Sequence, residues 1–268
     1  MMDRKALLEE LCLTAREAGA EIWAIFDAGF EIIIKSDASP VTVADHAAEE
    51  IILKALARLA PDIPVVAEEE AAAGRIPTVG ARFFLVDPLD GTRDFVARGR
   101  DFTVNIGLIE DGVPTLGVIY APSYGRLWAG DTTNGTAFAS DAAPGEAEGP
   151  RTPLAVRAAP ASPVAVASKS HDVPATEAYL KMLGITGRRS IGSSLKFCLL
   201  AEGEADLYPR PSPTSEWDTA AGHAILLAAG GRVFGVDGAP LAYGKPGFRN
   251  PGFVATGPLA APAIAPFM

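Results

Sequence analysis

The sequence predicts an α+β protein in which layers of helix and sheet alternate, and three patterns carry that expectation. Residues 3–28 and 43–59 repeat apolar positions at helical spacing. Residues 63–131 hold a series of short apolar runs separated by turn residues, and beyond residue 163 strand-like and helix-like segments alternate.

Taken in order, Leu7, Leu8, Leu11, Ala15, Ala18, Ile22, Ile25 and Phe26 form one apolar stripe, which Gly29 stops. A short strand, "EIIIK", and the loop "SDASPVT" follow, and then a second helix whose end Pro61 marks. The runs "IPVVA", "FFLV" and "TVNIGLIE" read as strands, and "VPTLGVIYAP" with "GRLWAGD" reads as a hairpin. These pieces describe a helical layer on a mostly antiparallel sheet. Residues 140–162 are rich in Ala, Pro and Gly and read as surface loops around one short strand. "PVAVAS", a helix over 173–183, "RRSIG", a helix over 193–202 and "ADLYP" then form a second layered unit. The expected division is an N-terminal unit, 1–140, and a C-terminal unit, 141–268.

Composition excludes several function classes. Among 268 residues, 23 Lys+Arg stand against 33 Asp+Glu, a net charge of -10 that disfavours a nucleic-acid duplex or an anionic membrane as partner. The longest weakly polar run, "AAGHAILLAAGG", is too short to span a bilayer, and the charged N-terminus lacks the apolar core of a secretory signal. Cys12 and Cys198 lie in apolar, helix-like surroundings and read as buried free thiols. The expected location is the cytoplasm, free or at the periphery of the inner membrane.

The chemistry concentrates at strand ends. In "FFLVDPLDGT" an apolar strand ends at Val86, Pro88 interrupts the ladder, and Asp90-Gly91 turns the chain so that Asp87 and Asp90 can aim at one point. Alone, this is also the pattern of an ordinary turn with solvated acids. "IPVVAEEE" repeats it with Glu68, Glu69 and Glu70, where a solvated face is the plain alternative. Downstream, "TSEWDTAAGHA" puts Asp218 at the expected N-cap of an apolar helix, a structural duty in its own right. Glu68, Asp87, Asp90 and Asp218 with one backbone carbonyl would suit two hard divalent cations. The helix N-termini after Gly91 and Asp218 offer amides to a phosphate.

"EE", "DPLDGT" and "WDTAAG" in this order resemble the inositol monophosphatase superfamily of Mg²⁺-dependent, lithium-sensitive phosphatases, over most of the chain. Within it, "KSDASPVTVAD", "DPLDGTRDF", "GSSLKFC" and "LYPR" are similar to bacterial 3'(2'),5'-bisphosphate nucleotidases. The resemblance implies the layered α/β sandwich of the inositol monophosphatase and sugar phosphatase type. It implies two Mg²⁺ ions held by Glu68, Asp87, Asp90, Asp218 and the Leu89 carbonyl, with Glu69 near a third, weaker metal. It implies that Asp45 and Thr92 activate the attacking water, and that Gly91, Thr92, His171, Ser193, Lys196, Arg210 and Asp218 bind the substrate. The implied substrate is adenosine 3',5'-bisphosphate, cleaved to AMP, with its sulfated analogue beside it, and the enzyme is a monomer or homodimer. Arg93-Asp94 replaces a Lys-Glu pair common in the subfamily, outside the ligand set.

Duller readings stand beside several of these. His171 could be a surface loop histidine, Lys196 could extend from an apolar helix to water, and His223 reads as structural. Haloacid-dehalogenase-type phosphatases separate their two aspartates by one residue, whereas Asp87 and Asp90 are separated by two. A calcium-binding loop starting at Asp87 would need Glu where Arg98 stands. A non-catalytic metal- or nucleotide-binding regulator would not need Thr92 and Asp45. Inositol monophosphatase or sugar-phosphate phosphatase activity is the nearest alternative.

Overall fold

The computed structural model describes residues 3–30, 32–34, 40–167 and 174–268. Helix α1 (Arg4–Ala28) leads through the antiparallel pair β1 (Ile32–Ile34) and β2 (Pro40–Thr42) into α2 (Val43–Leu59). Next come β3 (Val65–Ala67), α3 (Glu68–Ala72), β4 (Arg82–Asp90), α4 (Thr92–Val96), β5 (Thr103–Glu110), β6 (Val113–Ala121), β7 (Arg126–Asp131), β8 (Thr136–Asp141) and β9 (Thr152–Pro153). Strands β3 to β9 form one seven-stranded sheet in chain order, antiparallel except for the β3–β4 pair.

The rest of the chain supplies β10 (Val164–Ala167), α5 (Pro174–Met182), β11 (Gly187–Ser190), α6 (Leu195–Ala201), β12 (Leu207–Arg210), β13 (Thr214–Ser215), α7 (Trp217–Ala228), β14 (Arg232–Gly235), β15 (Arg249–Asn250) and β16 (Phe253–Thr256). A five-stranded sheet runs β11-β10-β12-β16-β14, parallel at β10 and antiparallel around β16.

Among the described residues, three apolar cores lie between successive layers. Stripes of α1 and α2 (Leu7, Leu11, Ala18, Ile52, Leu56) meet Phe84, Val86, Ile106 and Val118 of the large sheet. The opposite face (Phe83, Leu85, Ile119) meets α6, α7 and the inner face of the small sheet. Tyr179 and Leu180 of α5 close the far side. The expected alternation of helix and sheet layers is therefore present, and its order is α, β, α, β, α.

Close approach fixes α7 against the large sheet. A Cβ on Gly117 would lie 2.2 Å from the Ala221 carbonyl oxygen, and one on Gly130 would lie 2.7 Å from the Ile225 Cα. Only glycine lets the helix backbone come so near, and that contact brings the start of α7 to the end of β4.

Two local expectations need correction. The ladder of β4 does not stop at Val86: Asp87 pairs with Asn105 and Asp90 with Thr103, with a register shift between them. Pro88 lacks an N–H and falls inside that irregularity, so the strand is interrupted and then resumes. Helix α7 has Glu216 as its N-cap, which leaves Asp218 inside the first turn.

Candidate active site

Side chains three apart on a regular strand point to opposite faces of the sheet. The irregularity at Pro88-Leu89 changes that parity. Phe83 and Leu85 face α6 and α7, and Asp87 continues their face. After the shift, Leu89 turns its side chain into the core on the α1–α2 side, and Asp90 again faces the middle layer, where its Oδ2 accepts from Ser193 and Ser194 at 2.8 Å each. Gly91 follows at φ +95, with any Cβ only 2.4 Å from the Asp101 carbonyl, so a glycine is required where the chain enters α4.

A cleft of about 470 Å³ opens here. Glu68, Asp87, Leu89, Asp90, Gly91 and Thr92 line it from the large-sheet side, and Ser193, Lys196, Arg210 and Asp218 line it from the second half of the chain. The structure thus brings together all four acids of the expected ligand set. Asp45 and Glu69 do not line the cleft, and Asp45 communicates with it through Thr92. His171 lies outside the described residues.

Asp87, Asp218 and Asp45 each have a neighbour that holds them. Asp87 accepts from the Leu89 amide at 3.1 Å, and Asp218 reaches back to the Ser215 amide at 2.9 Å. Asp45, at the third position of α2, forms a capping box: its Oδ2 accepts from the Thr42 amide at 2.7 Å and the Thr42 hydroxyl at 2.8 Å. Its Oδ1 lies 3.2 Å from the Thr92 hydroxyl, which also lies 3.0 Å from the Leu89 carbonyl.

Burial and mutual repulsion set the electrostatics. Burial first, then the charges of Glu68, Asp90, Asp218 and Asp45, hold the Asp87 carboxyl well above its ordinary range. Burial and Asp90 push Asp218 up to about 7, although the Ser215 amide and Arg210 oppose the rise. Lys196 is buried, so its reading as a side chain extending to water is corrected. Its Nζ donates to the Ser193 carbonyl at 2.6 Å and lies 5.3 Å from the centre of the Tyr208 ring. Burial and the nearby Arg210 lower it to about 8. The Nε of Arg210 is buried and has no hydrogen-bond partner.

The donor set suits a hard divalent cation chemically, since it is all oxygen and its negative charges repel one another in a buried place. As the side chains stand, no three acids among the described residues close on one point. Asp90 and Asp218 each commit one oxygen, to the Ser193 and Ser194 hydroxyls and to the Ser215 amide respectively, which leaves the other carboxylate oxygen of each for an ion.

The inositol monophosphatase family profile matches residues 3–263. The chain belongs to that family. It is 47% identical over 253 residues to the 3'(2'),5'-bisphosphate nucleotidase CysQ of Salmonella typhimurium, covering 93% of this chain and 99% of that protein. It is 44% identical to the enzyme of the same name from Escherichia coli K12, covering 92% and 98%. Among solved structures, CysQ from Bacteroides thetaiotaomicron superposes with a TM-score of 0.76 at 37% identity, covering 92% of this chain and 95% of that one. Inositol monophosphatase from Anabaena superposes at 0.72 with 28% identity, covering 94% and 90%.

This family member also carries site residues that sequence reasoning missed. The Ser194 hydroxyl lies 2.8 Å from Asp90 Oδ2 and 2.9 Å from the Asp218 carbonyl, its one proton shared between them, and accepts from the Asn105 amide at 2.8 Å. One hydroxyl therefore ties three segments together. Asp101, buried in the cleft wall, accepts from the Gly192 amide and the Tyr124 hydroxyl at 2.7 Å each. The doubled serine of "GSS" was the available signal for Ser194, whereas nothing local to "RDFTVN" marks Asp101. His223 is structural as expected, with Nδ1 3.0 Å from the Tyr243 hydroxyl in a buried network. Cys12 and Cys198 are buried free thiols.

Proposed function

We propose that this chain is a Mg²⁺-dependent phosphatase that hydrolyses the 3'-phosphate of adenosine 3',5'-bisphosphate to leave AMP. The observation that carries this reading is the double character of one cleft, which is lined by four acids and also by the cations Lys196 and Arg210, the latter with a buried, unpartnered Nε. A monophosphate needs only the acids and the ions they would hold. A bisphosphate uses the cations as well. The similarity to proteins named 3'(2'),5'-bisphosphate nucleotidase supports the same choice over an inositol phosphate.

Glu68, Asp87, Asp90, Asp218 and the Leu89 carbonyl would hold the cations, two in number, with Glu69 near a third. Bound there, Mg²⁺ supplies Lewis acidity toward the phosphoryl oxygens and lowers the pKa of water. The rest falls to the protein. Asp45 has one oxygen committed to Thr42, which leaves the other turned to Thr92. When the Thr92 hydroxyl donates to Asp45, its own oxygen can accept a proton from water in the cleft. Water can then be deprotonated in line with the phosphorus, with no covalent enzyme intermediate. The α4 amides beyond Gly91 and the Ser193 hydroxyl would orient the phosphoryl group. Lys196, tied to the Ser193 carbonyl, supplies positive potential behind it, and Arg210 takes the second phosphate with a planar, multidentate contact. No described helix is long and apolar enough to cross a membrane. We place the enzyme in the cytoplasm, as a monomer or homodimer acting on a small nucleotide.

Phosphate release measured with Mg²⁺ across adenosine 3',5'-bisphosphate, its 5'-phosphosulfate analogue, inositol 1-phosphate and fructose 1,6-bisphosphate tests the reading. The highest kcat/KM is expected for the nucleotide bisphosphate. A preference for inositol 1-phosphate would overturn it in favour of the family's monophosphatase chemistry.

A further inference from the structure

Helix α2 carries a second buried acid one turn after Asp45. Asp45 and Glu49 are 2% and 4% exposed, and their spacing sets them on one face of the helix, with Ala48 and Ile52 packed beside them. Asp45 reaches Thr92. Glu49 reaches the other side of the cluster: its Oε2 accepts from the Glu69 amide at 2.8 Å and its Oε1 from the Glu70 amide at 3.0 Å.

Those two amides are the orphan donors of the first turn of α3, whose own N-cap, Ala67, provides no side-chain acceptor. Glu49 thus caps a helix from a different segment of the chain. The position is unfavourable for an acid, because burial and the adjacent charges of Glu69 and Glu70 push its carboxyl up to about 7. A carboxylate nevertheless offers two acceptors to two consecutive amides, whereas a carboxamide would turn an NH₂ group against one of them.

The clamp sits where the chain leaves the sheet. Ala67 is the last β3 residue, paired beside Val86, and the next residues on the two strands are Glu68 and Asp87. The direction in which Glu68 leaves that edge depends on how the first turn of α3 is seated. Glu49 seats it.

We propose that Glu49 is a positioning residue for the acid cluster: by clamping the Glu69 and Glu70 amides it aims Glu68 at Asp87, and divalent-cation affinity depends on that aim. The inference rests on the metal-dependent reading above. Helix α2 then acts as a two-ended bracket, with Asp45 setting Thr92 at one end and Glu49 setting Glu68 at the other.

The test uses Mn²⁺ as probe, with free ion followed by electron paramagnetic resonance, on wild type, Glu49→Gln, Glu49→Asp and the control Lys54→Ala. Lys54 lies on the exposed face of α2, paired with Glu50. Losing one arm of the clamp should raise the Mn²⁺ dissociation constant roughly five- to thirtyfold in both Glu49 variants. Lys54→Ala should match wild type. The Mg²⁺ concentration for half-activation should rise in parallel, while kcat at saturating Mg²⁺ stays within a few-fold. Wild-type Mn²⁺ affinity in the folded variants overturns the proposal, and so does a fall in kcat with unchanged Mg²⁺ half-activation. If circular dichroism shows neither variant folded, Glu49 is a structural residue and the proposal is wrong. A wild-type chain that binds no Mn²⁺ would sink the metal reading itself, an outcome distinct from unaltered binding in the variants.

Discussion

Replacing Arg210 with alanine removes a cation of the cleft wall whose Nε is buried without a partner. In the free protein that nitrogen has no partner, although the rest of the guanidinium bonds the Tyr208 side chain and faces Asp218, so circular dichroism of the Arg210→Ala chain accompanies its kinetics. In the complex the guanidinium would meet the second phosphate. A charge-assisted hydrogen bond of this kind is worth about 1.5–3 kcal/mol, or roughly ten- to a hundredfold in kcat/KM. The same change acts weakly on the metal pole, because Arg210 also lowers the Asp218 carboxyl, and this smaller loss falls on every substrate alike. Steady-state kinetics on adenosine 3',5'-bisphosphate and inositol 1-phosphate, at Mg²⁺ saturating for each protein, separate the two effects. The bisphosphate should lose at least ten times more than the monophosphate. Arg210→Lys should fall between, since an ammonium keeps the charge and loses the planar fork. Equal losses on both substrates would refute the second-phosphate role and leave Arg210 as a support for Asp218.

Asp90→Asn and Asp218→Asn should abolish turnover while the metal-free proteins unfold at or above the wild-type temperature, because each removes one charge from a repelling cluster; calorimetry beside an activity assay checks both halves. Excess chelator should stop phosphate release and added Mg²⁺ restore it, and lithium should inhibit by competing at the weaker cation position, as a Mg²⁺ titration at fixed lithium would reveal. Burial, with a smaller push from Lys245, holds His223 near a pKa of about 3, below its unfolded value. Its contribution is therefore complete above pH about 6.5 and is lost as pH falls toward 3, at up to about 1.4 kcal/mol per unit. Urea unfolding of wild type and His223→Gln from pH 7 to 4 should show the wild type losing more; parallel curves would contradict a buried neutral imidazole.

The sequence by itself determined the pieces that depend on neighbours along the chain. Apolar period, glycine and proline punctuation, and acids at the ends of apolar runs are local signals. They located α1, α2, β5, the β6–β7 hairpin, and Glu68, Asp87, Asp90 and Asp218 as one chemical set. The layer type followed from the order of these elements. Tertiary structure decided what depends on segments far apart in the chain. Asp87 and Asp90 face the same side only because the ladder to β5 shifts register at Pro88-Leu89, and a three-residue spacing says nothing about that without the partner strand. Asp218 sits inside the first turn of α7, with Glu216 at the cap position, and the Glu216 carboxylate accepts from the distant Gly244 and Lys245 amides and not from its own helix. Glycines in β6 and β7 read as weak strand residues until α7 is seen lying against them. Ser194, Asp101 and Glu49 hold the cleft through partners 20 to 104 residues away, and no local pattern marks a residue whose partner is chosen by the packing of layers. Local chemistry named the acids, and the stacking of two sheets about one helical layer brought them to a single cleft.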